Sequence, residues 1–256
     1  MRTARSTLPA LLLAAACAHA PAPGDLPVSS AASGIEVRAD GVDDRSAAQV
    51  AEALPAAIAR VERWGALPRP IVVRIQPSAE ALAASAGRPG DTWLRGWARR
   101  GSVEIQAPRT WSRGPASDGA VATLLTHELS HCLLFARLPG DWTRRDVPPW
   151  FEEGMASYTA GERHDRADAA VLAPRTPGTA SIPGAVATAD PAVLYGTADR
   201  AFRRLVALHG EASVRAILAE LAAGRRFPAA FLAATGTPLV AFESALRRDL
   251  EASASR

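Results

Sequence analysis

The alternation of apolar and polar residues predicts strands and helices in turn along the first half of the chain. Ile35 to Ala39 and Ile71 to Gln76 have the short apolar runs of strands, and Ser102 to Ala107 alternates like a half-exposed strand. An amphipathic helix is expected from Ser46 to Trp64, and a shorter one from Ser78 to Ala86. This order of elements predicts an α+β fold with a small mixed sheet.

A further helix is predicted from Ala120 to Phe135, with Asp118 as its N-cap and Pro139-Gly140 after its end. Residues 161–195 show no steady period, which favours a loop at the rim of a cleft. The helical pattern returns from Gly196 onward. We therefore divide the chain into a signal peptide (1–16), a tether (17–34), a subdomain with the sheet (35–160), the loop (161–195) and a helical subdomain (196–256).

Charge and composition exclude one class of partner. The chain has no lysine, and its 29 arginines face 26 acidic residues, a formal charge of +3. Removal of Arg2 and Arg5 with the signal peptide leaves 27 against 26, or +1. A nucleic-acid partner therefore has no electrostatic support.

The N-terminus predicts export. Basic residues Arg2 and Arg5 precede an apolar run that is too short for a permanent membrane span. The residues up to Cys17 resemble a bacterial lipobox, with Ala14 where leucine is usual, so we expect lipidation of Cys17 and a periplasm-facing envelope lipoprotein. The alternative is ordinary cleavage near Ala16 or Ala20, which gives a secreted protein.

Three residues of the predicted long helix have the spacing of a metal site. His127 and His131 are four apart, so their imidazoles lie on one helix face and can share a zinc ion. Glu128 is placed to reach a metal-bound water without taking a coordination position. The alternative is that both histidines are hydrogen-bonded core residues and Glu128 is solvated. Cys132 points about 100° away and is expected to be a small buried hydrophobe.

A second motif supplies a candidate third ligand. Pro149 precedes Trp150-Phe151-Glu152-Glu153-Gly154, and proline suits the first turn of a helix. Glu153 follows His131 by 22 positions, which is enough for a second helix to return beside the first. Glu152 is the competing carboxylate, only 100° round the helix, and is otherwise a solvent or salt-bridge residue.

Together these motifs resemble those of the gluzincin metallopeptidases, and more narrowly the bacterial peptidase MA-like group. The resemblance covers residues 35 to 251 in layout, although only the two motifs are specific. It implies a zincin-like fold: a small N-terminal sheet, the HExxH helix and a helical C-terminal half. It also assigns Glu153, directly before Gly154, as the zinc ligand. Metzincins are disfavoured by Leu134 and Arg137, which stand where their glycine and third histidine would be.

The resemblance brings two further candidates. Tyr195 stands in the segment where similar enzymes carry a tyrosine that donates to the developing oxyanion; otherwise it anchors the start of a helix. Asp199 ends a Gly-Thr-Ala-Asp run similar to the third-ligand motif of aspzincins, but Phe202 and Arg203 depart from that motif. Ser157 is a weak candidate for orienting a histidine ligand, and His164 and His209 are expected on the surface or in loops.

The expected function is hydrolysis of peptide bonds by one zinc ion per chain, with Glu128 as general base and a peptide or protein as substrate. We expect Ser102 to Ala107 to be an edge strand that holds the peptide. The alternatives are a catalytically inactive zincin-like scaffold in the envelope and a zinc amidase of other specificity. Oligomeric state and side-chain preference are not predicted.

The lipid anchor is tested by labelling. Cells that make the protein should incorporate radiolabelled palmitate into it, and the label should be absent from Cys17→Ala, because the lipid is attached through that thiol. An unlabelled wild-type protein would exclude the anchor and leave ordinary cleavage.

Overall fold

The computed structural model has an α+β fold, in which a five-stranded mixed sheet precedes a mainly helical second half. It describes residues 28–30, 34–112, 114–140, 146–172 and 190–254. The expected signal peptide and Cys17 lie outside the described residues. The strands are β1 (Val28–Ser30), β2 (Ile35–Arg38), β3 (Ile71–Gln76), β4 (Gly96–Arg99) and β5 (Ser102–Gln106).

The strand order across the sheet is β1-β2-β3-β5-β4. The three central strands run parallel, with Ile35 opposite Ile71 and Val73 opposite Val103. Strands β1 and β4 are antiparallel to their neighbours at the two edges. Alternate residues of β3 are buried, as its apolar pattern predicts: Ile71, Val73 and Ile75.

The prediction that Ser102 to Ala107 forms an edge strand is wrong. Strand β5 lies between β3 and β4, and its polar residues Glu104 and Gln106 are buried. Glu104 accepts a hydrogen bond from Gln76 at 2.8 Å, and Gln106 donates to the carbonyl of Thr110 at 2.7 Å. Buried polar side chains need such partners. Both faces of β5 are therefore covered, although its residues alternate between polar and apolar. The edge beside β5 is the four-residue strand β4, which the sequence pattern did not predict.

Three helices accompany the sheet: α1 (Asp44–Val61), α2 (Ala79–Ser85) and α3 (Asp118–Ala136). Each begins at a side-chain cap, since Asp43, Ser78 and Ser117 accept hydrogen bonds from backbone N–H groups of the first turn. The cap of α3 is therefore Ser117 and not Asp118. Helix α3 is buried along most of its length and packs against α1, β4 and the next helix.

Two helices form the centre of the second half: α4 (Pro149–Ala160) and α5 (Pro191–Ala222). Helix α5 begins five residues before the expected position, because Asp190 caps it and Pro191 occupies its first turn. Gly210 interrupts α5 with φ 74° and ψ 167°, which is a non-helical conformation. Helix α4 lies close to α5 at Gly154, where a Cβ would overlap the carbonyl of Ala198.

The chain ends with α6 (Phe227–Thr235) and α7 (Leu239–Ala254). Helix α6 was not predicted, because its residues are almost uniformly apolar and show no helical period. Among the described residues no single helix is long and apolar enough to cross a membrane, and only the segments Phe227–Thr235 and Leu239–Ser253, bent by 82°, meet that test together.

One hydrophobic core joins the sheet to the helices. Trp64, which follows α1, donates to Thr159 of α4 at 2.7 Å and packs edge-on against Phe202 of α5. A group of aromatic side chains fills the space among α4, α5, α6 and α7: Trp150, Phe151, Phe202, Phe227, Phe231 and Phe242. Cys132 is buried and donates to the carbonyls of Arg99 and Ser102, and burial raises its pKa to about 12, so it behaves as an inert core residue.

Candidate metal centre

Helix α3 presents both histidines of the motif to α4. His127 and His131 are each 7% exposed, and their ring centroids are 5.0 Å apart. This arrangement follows from the four-residue spacing, which places successive side chains one turn apart on the same face. The two rings therefore point in the same direction from a helix that the core holds on its other sides.

Helix α4 brings Glu153 to the same point. Its Oε2 lies 3.5 Å from Nε2 of His127 and 3.4 Å from Nε2 of His131. The three ligand atoms lie within 4.8 Å of one another, and Oε2 of Glu153 is buried without a hydrogen-bond partner among the described residues. A buried acceptor left unpaired is costly unless a cation occupies the space beside it. This cluster can hold a metal ion.

Glu152 is excluded from the cluster by the turn of the helix. It is 5% exposed, so of the two expected environments, solvent or a salt bridge, solvent is excluded. Its Oε1 lies 3.7 Å from Nδ1 of His131, on the side of the ring away from Glu153. Glu152 therefore places negative charge behind His131, whereas Glu153 faces the point where both Nε2 atoms meet.

The carboxylates around the histidines create a field that favours positive charge. Burial alone would lower the pKa of His127, but its contacts with Glu153 and Glu162 raise that pKa well above the ordinary value. Burial would raise the pKa of Glu153, yet the two histidines hold it far below its usual range. Both shifts have the sign expected where buried histidines and carboxylates face one another and stabilise each other's charged forms.

Glu128 lies beside this cluster and is buried at 6% exposure. Its carboxylate rests over Gly96 of the edge strand β4, where a Cβ would overlap it. Burial raises the pKa of Glu128, while His127 and His131 act in the opposite direction. The residue is thus a carboxylate of increased basicity at the boundary between the candidate metal site and the sheet edge.

Tyr195 projects from the second turn of α5 toward the same site. Its ring centroid is 6.0 Å from that of His127, and it stacks on His164 at 5.7 Å. Burial, with the charges of Glu153 and Glu128, raises the pKa of the phenol well above its ordinary value. Tyr195 is therefore protonated at neutral pH and can donate a hydrogen bond.

Asp199, the alternative third ligand, is occupied elsewhere. Its carboxylate is 4% exposed and accepts from Nε of Arg203 at 2.9 Å, one helical turn away. The guanidinium neutralises the charge that a metal would need, and Asp199 is not among the three converging residues. The four-residue spacing of Asp199 and Arg203 in the sequence is typical of such an ion pair on a helix.

Glu162 lies near the site and was not among the predicted site residues. Glu162 contacts Nδ1 of His127 at 3.2 Å, and the same oxygen lies 3.3 Å from Nε2 of His164. His164 is in a loop, as expected, but it borders the site and is only partly exposed. Ser157 is fully buried one turn after Glu153, and Glu162 takes the position at His127 for which Ser157 was the candidate.

Comparison with known proteins adds no relative. No protein-family model matches the chain, and no curated protein matches it. The chemistry of the site therefore rests on the residues and distances described above.

Loss of ligands should remove the metal. The purified mature protein should hold one divalent ion per chain by elemental analysis, and His127→Ala, His131→Ala and Glu153→Gln should each lower the affinity strongly, because each removes one of three protein donors. Asp199→Asn is the matched control: its amide oxygen still accepts from Arg203, and the ion should remain. Metal retained by Glu153→Gln and lost by Asp199→Asn would contradict the assignment.

Proposed function

We propose that this protein is a zinc-dependent metallopeptidase of the gluzincin type, with a zincin-like fold. One observation carries the proposal: the unpaired Oε2 of Glu153 faces the Nε2 atoms of His127 and His131, with the buried carboxylate of Glu128 alongside. Two histidines and one glutamate are the protein ligands of several zinc peptidases, which leave a fourth position for water.

The distances from Glu153 to the two histidine nitrogens suit zinc. Tetrahedral ligands bound at about 2.1 Å stand roughly 3.4 Å apart, by simple geometry from the usual Zn–N and Zn–O lengths. Glu153 Oε2 lies 3.5 and 3.4 Å from the two histidine nitrogens. Imidazole donors favour zinc over magnesium or calcium, which prefer oxygen ligands. Zinc is therefore the ion proposed for the site.

Glu128 is proposed as the general base. When bound, the ion supplies an acidified water and polarises the substrate carbonyl. Glu128 would accept a proton from the attacking water and pass it to the departing amine. Its raised pKa strengthens it as a base relative to an exposed glutamate, and the absence of a side chain at Gly96 leaves its carboxylate room beside the sheet edge.

Tyr195 is proposed to stabilise the charge that develops on the substrate oxygen. Its phenol remains protonated because burial and the neighbouring carboxylates disfavour the phenolate. A donor held in a buried position strengthens its hydrogen bond as negative charge builds up in the transition state. The start of α5 at Pro191 places this donor on a regular helix instead of the expected loop.

A peptide substrate agrees with the open edge of the sheet. Strand β4 pairs only with β5 among the described strands, so its other side carries backbone groups free for an added strand. Gly96, at the start of β4, lies directly below Glu128. An extended peptide hydrogen-bonded along β4 would therefore pass the base and the metal site.

Glu128→Gln tests the proposed reaction. The amide is similar in size but cannot accept the proton of water, so the variant should keep its zinc and its cooperative unfolding while peptide hydrolysis falls by several orders of magnitude. The measurement is cleavage of a denatured proteome by wild type and variant, analysed by mass spectrometry of new termini. Cleavage by the variant at the wild-type rate, or a zinc-loaded wild type that cleaves nothing, would refute the peptidase proposal.

The other tyrosine of the chain, Tyr158, provides a control that separates a hydrogen-bonding role of Tyr195 from a packing role. Tyr195→Phe should lower kcat by about 100-fold with a much smaller change in KM, since the lost donor acts mainly in the transition state. Tyr158→Phe is the control: Tyr158 packs against Trp64 and Phe202, and its hydroxyl reaches Glu211. Equal kcat values in the two variants would rule out the oxyanion role.

A further inference from the structure

Glu162 contacts the nitrogen of His127 that faces away from Glu153. Its Oε2 lies 3.2 Å from Nδ1, whereas Nε2 of the same ring faces Glu153. A neutral imidazole carries one N–H and one lone pair. When Nδ1–H donates to Glu162, the lone pair is on Nε2, which is the atom directed at the other two ligands.

The end of α4 directs Glu162 toward His127. The helix stops at Ala160, and Gly161 adopts the left-handed conformation with φ 75° and ψ 20°. The N–H of Gly161 donates to the carbonyl of Tyr158, and the N–H of Glu162 donates to that of Ser157. This pair of hydrogen bonds is a Schellman motif, which turns the chain sharply at a glycine. Glu162 is thereby directed back to the histidine helix.

Helix α5 holds the segment from Glu162 to Asp168 in place. Arg203 donates to the carbonyl of Glu162 at 3.0 Å while its Nε is held by the buried Asp199. Further along, the N–H of Asp168 donates to Thr197 Oγ1 at 2.9 Å. At Gly196 a Cβ would overlap the carbonyl of Arg166, so the backbone of the segment lies directly on the helix.

The two histidines differ in this respect. Nδ1 of His131 is buried and has no hydrogen-bond partner among the described residues, and the nearest oxygen of Glu152 is 3.7 Å away. Only His127 therefore has its tautomer determined by a carboxylate at hydrogen-bonding distance. An alternative role for Glu162 is to bind His164 instead of His127. Nε2 of His164 and Nδ1 of His127 both contact the same oxygen of Glu162.

We propose that Glu162 is a positioning residue that holds His127 in the Nδ1–H tautomer and fixes its ring for metal binding, with Arg203 and Asp199 holding Glu162 in place. The inference rests on the metal site of the proposed function. It assigns Asp199 a role in supporting a ligand instead of binding metal itself. It gives to Glu162 the orienting role for which Ser157, one turn after Glu153, was a weak candidate.

The test is zinc affinity, measured by competition with a chromophoric chelator on the full mature protein. Glu162→Ala should weaken zinc binding about 10–100-fold, the usual effect of losing a carboxylate behind a histidine ligand. Glu162→Gln should recover part of that loss, since its amide oxygen still accepts from Nδ1–H. His164→Ala is the matched control and should bind zinc as the wild type does, because it leaves the His127 contact intact.

A second measurement reports the geometry directly. The visible spectrum of the cobalt-substituted protein should shift in Glu162→Ala and remain unchanged in His164→Ala. Wild-type affinity and spectrum in Glu162→Ala, or equal losses in Glu162→Ala and His164→Ala, would overturn the proposal. If the alanine variant does not unfold cooperatively, the nearly isosteric Glu162→Gln decides: wild-type affinity and spectrum in that variant would equally refute the role.

These outcomes distinguish the inference from the proposed function. A wild type that binds zinc and cleaves no peptide refutes the peptidase, while the affinities of the Glu162 variants still decide the positioning role. Active enzyme whose zinc affinity does not depend on Glu162 refutes the positioning role alone. A wild type without zinc affinity overturns both.

Discussion

Carboxylates removed from water need positive charge close by, and the centre of this protein places several of them around two histidines. Glu128, Glu152 and Glu153 are largely buried there, and Glu162 joins them from the end of α4. Neutral imidazoles cannot balance that charge, and the pKa of His127 responds by rising far above its ordinary value. Positive charge at this point, on the imidazoles or on a bound cation, offsets the cost of burying the carboxylates. The surrounding helices are organised to meet this requirement.

Close backbone approaches make that organisation possible. A Cβ at Gly96 would overlap the carboxylate of Glu128, and one at Gly154 would overlap the backbone of α5. A third at Gly196 would overlap the segment that follows Glu162. Each glycine thus lets one supporting element lie against the next without an intervening side chain. The sheet edge, α3, α4 and α5 can then meet within the length of a few side chains.

Much of the site could be predicted because each of its motifs consists of residues that are close together in the sequence. The spacing of His127 and His131 defines a shared helix face, and the motif around Glu153 specifies a second helix with a carboxylate. The predictions that failed concern contacts between segments that are far apart in the sequence. The polar residues of β5 suggested solvent, but they are buried with partners such as Gln76. Gly161 marked a helix end, yet nothing in the sequence near Glu162 indicated a contact with a histidine 35 positions earlier.

The separation of the ligands along the chain also affects how the fold is held together. His131 belongs to the helix beneath the sheet and Glu153 to the helical half, so an ion held by both would cross-link them. The only cysteine among the described residues, Cys132, is buried and unpaired, so no disulfide within them makes that connection. An ion present at 1,000 times its dissociation constant would add about 4 kcal/mol to the free energy of unfolding. Metal bound at this site would make the stability of the fold depend on the supply of that metal.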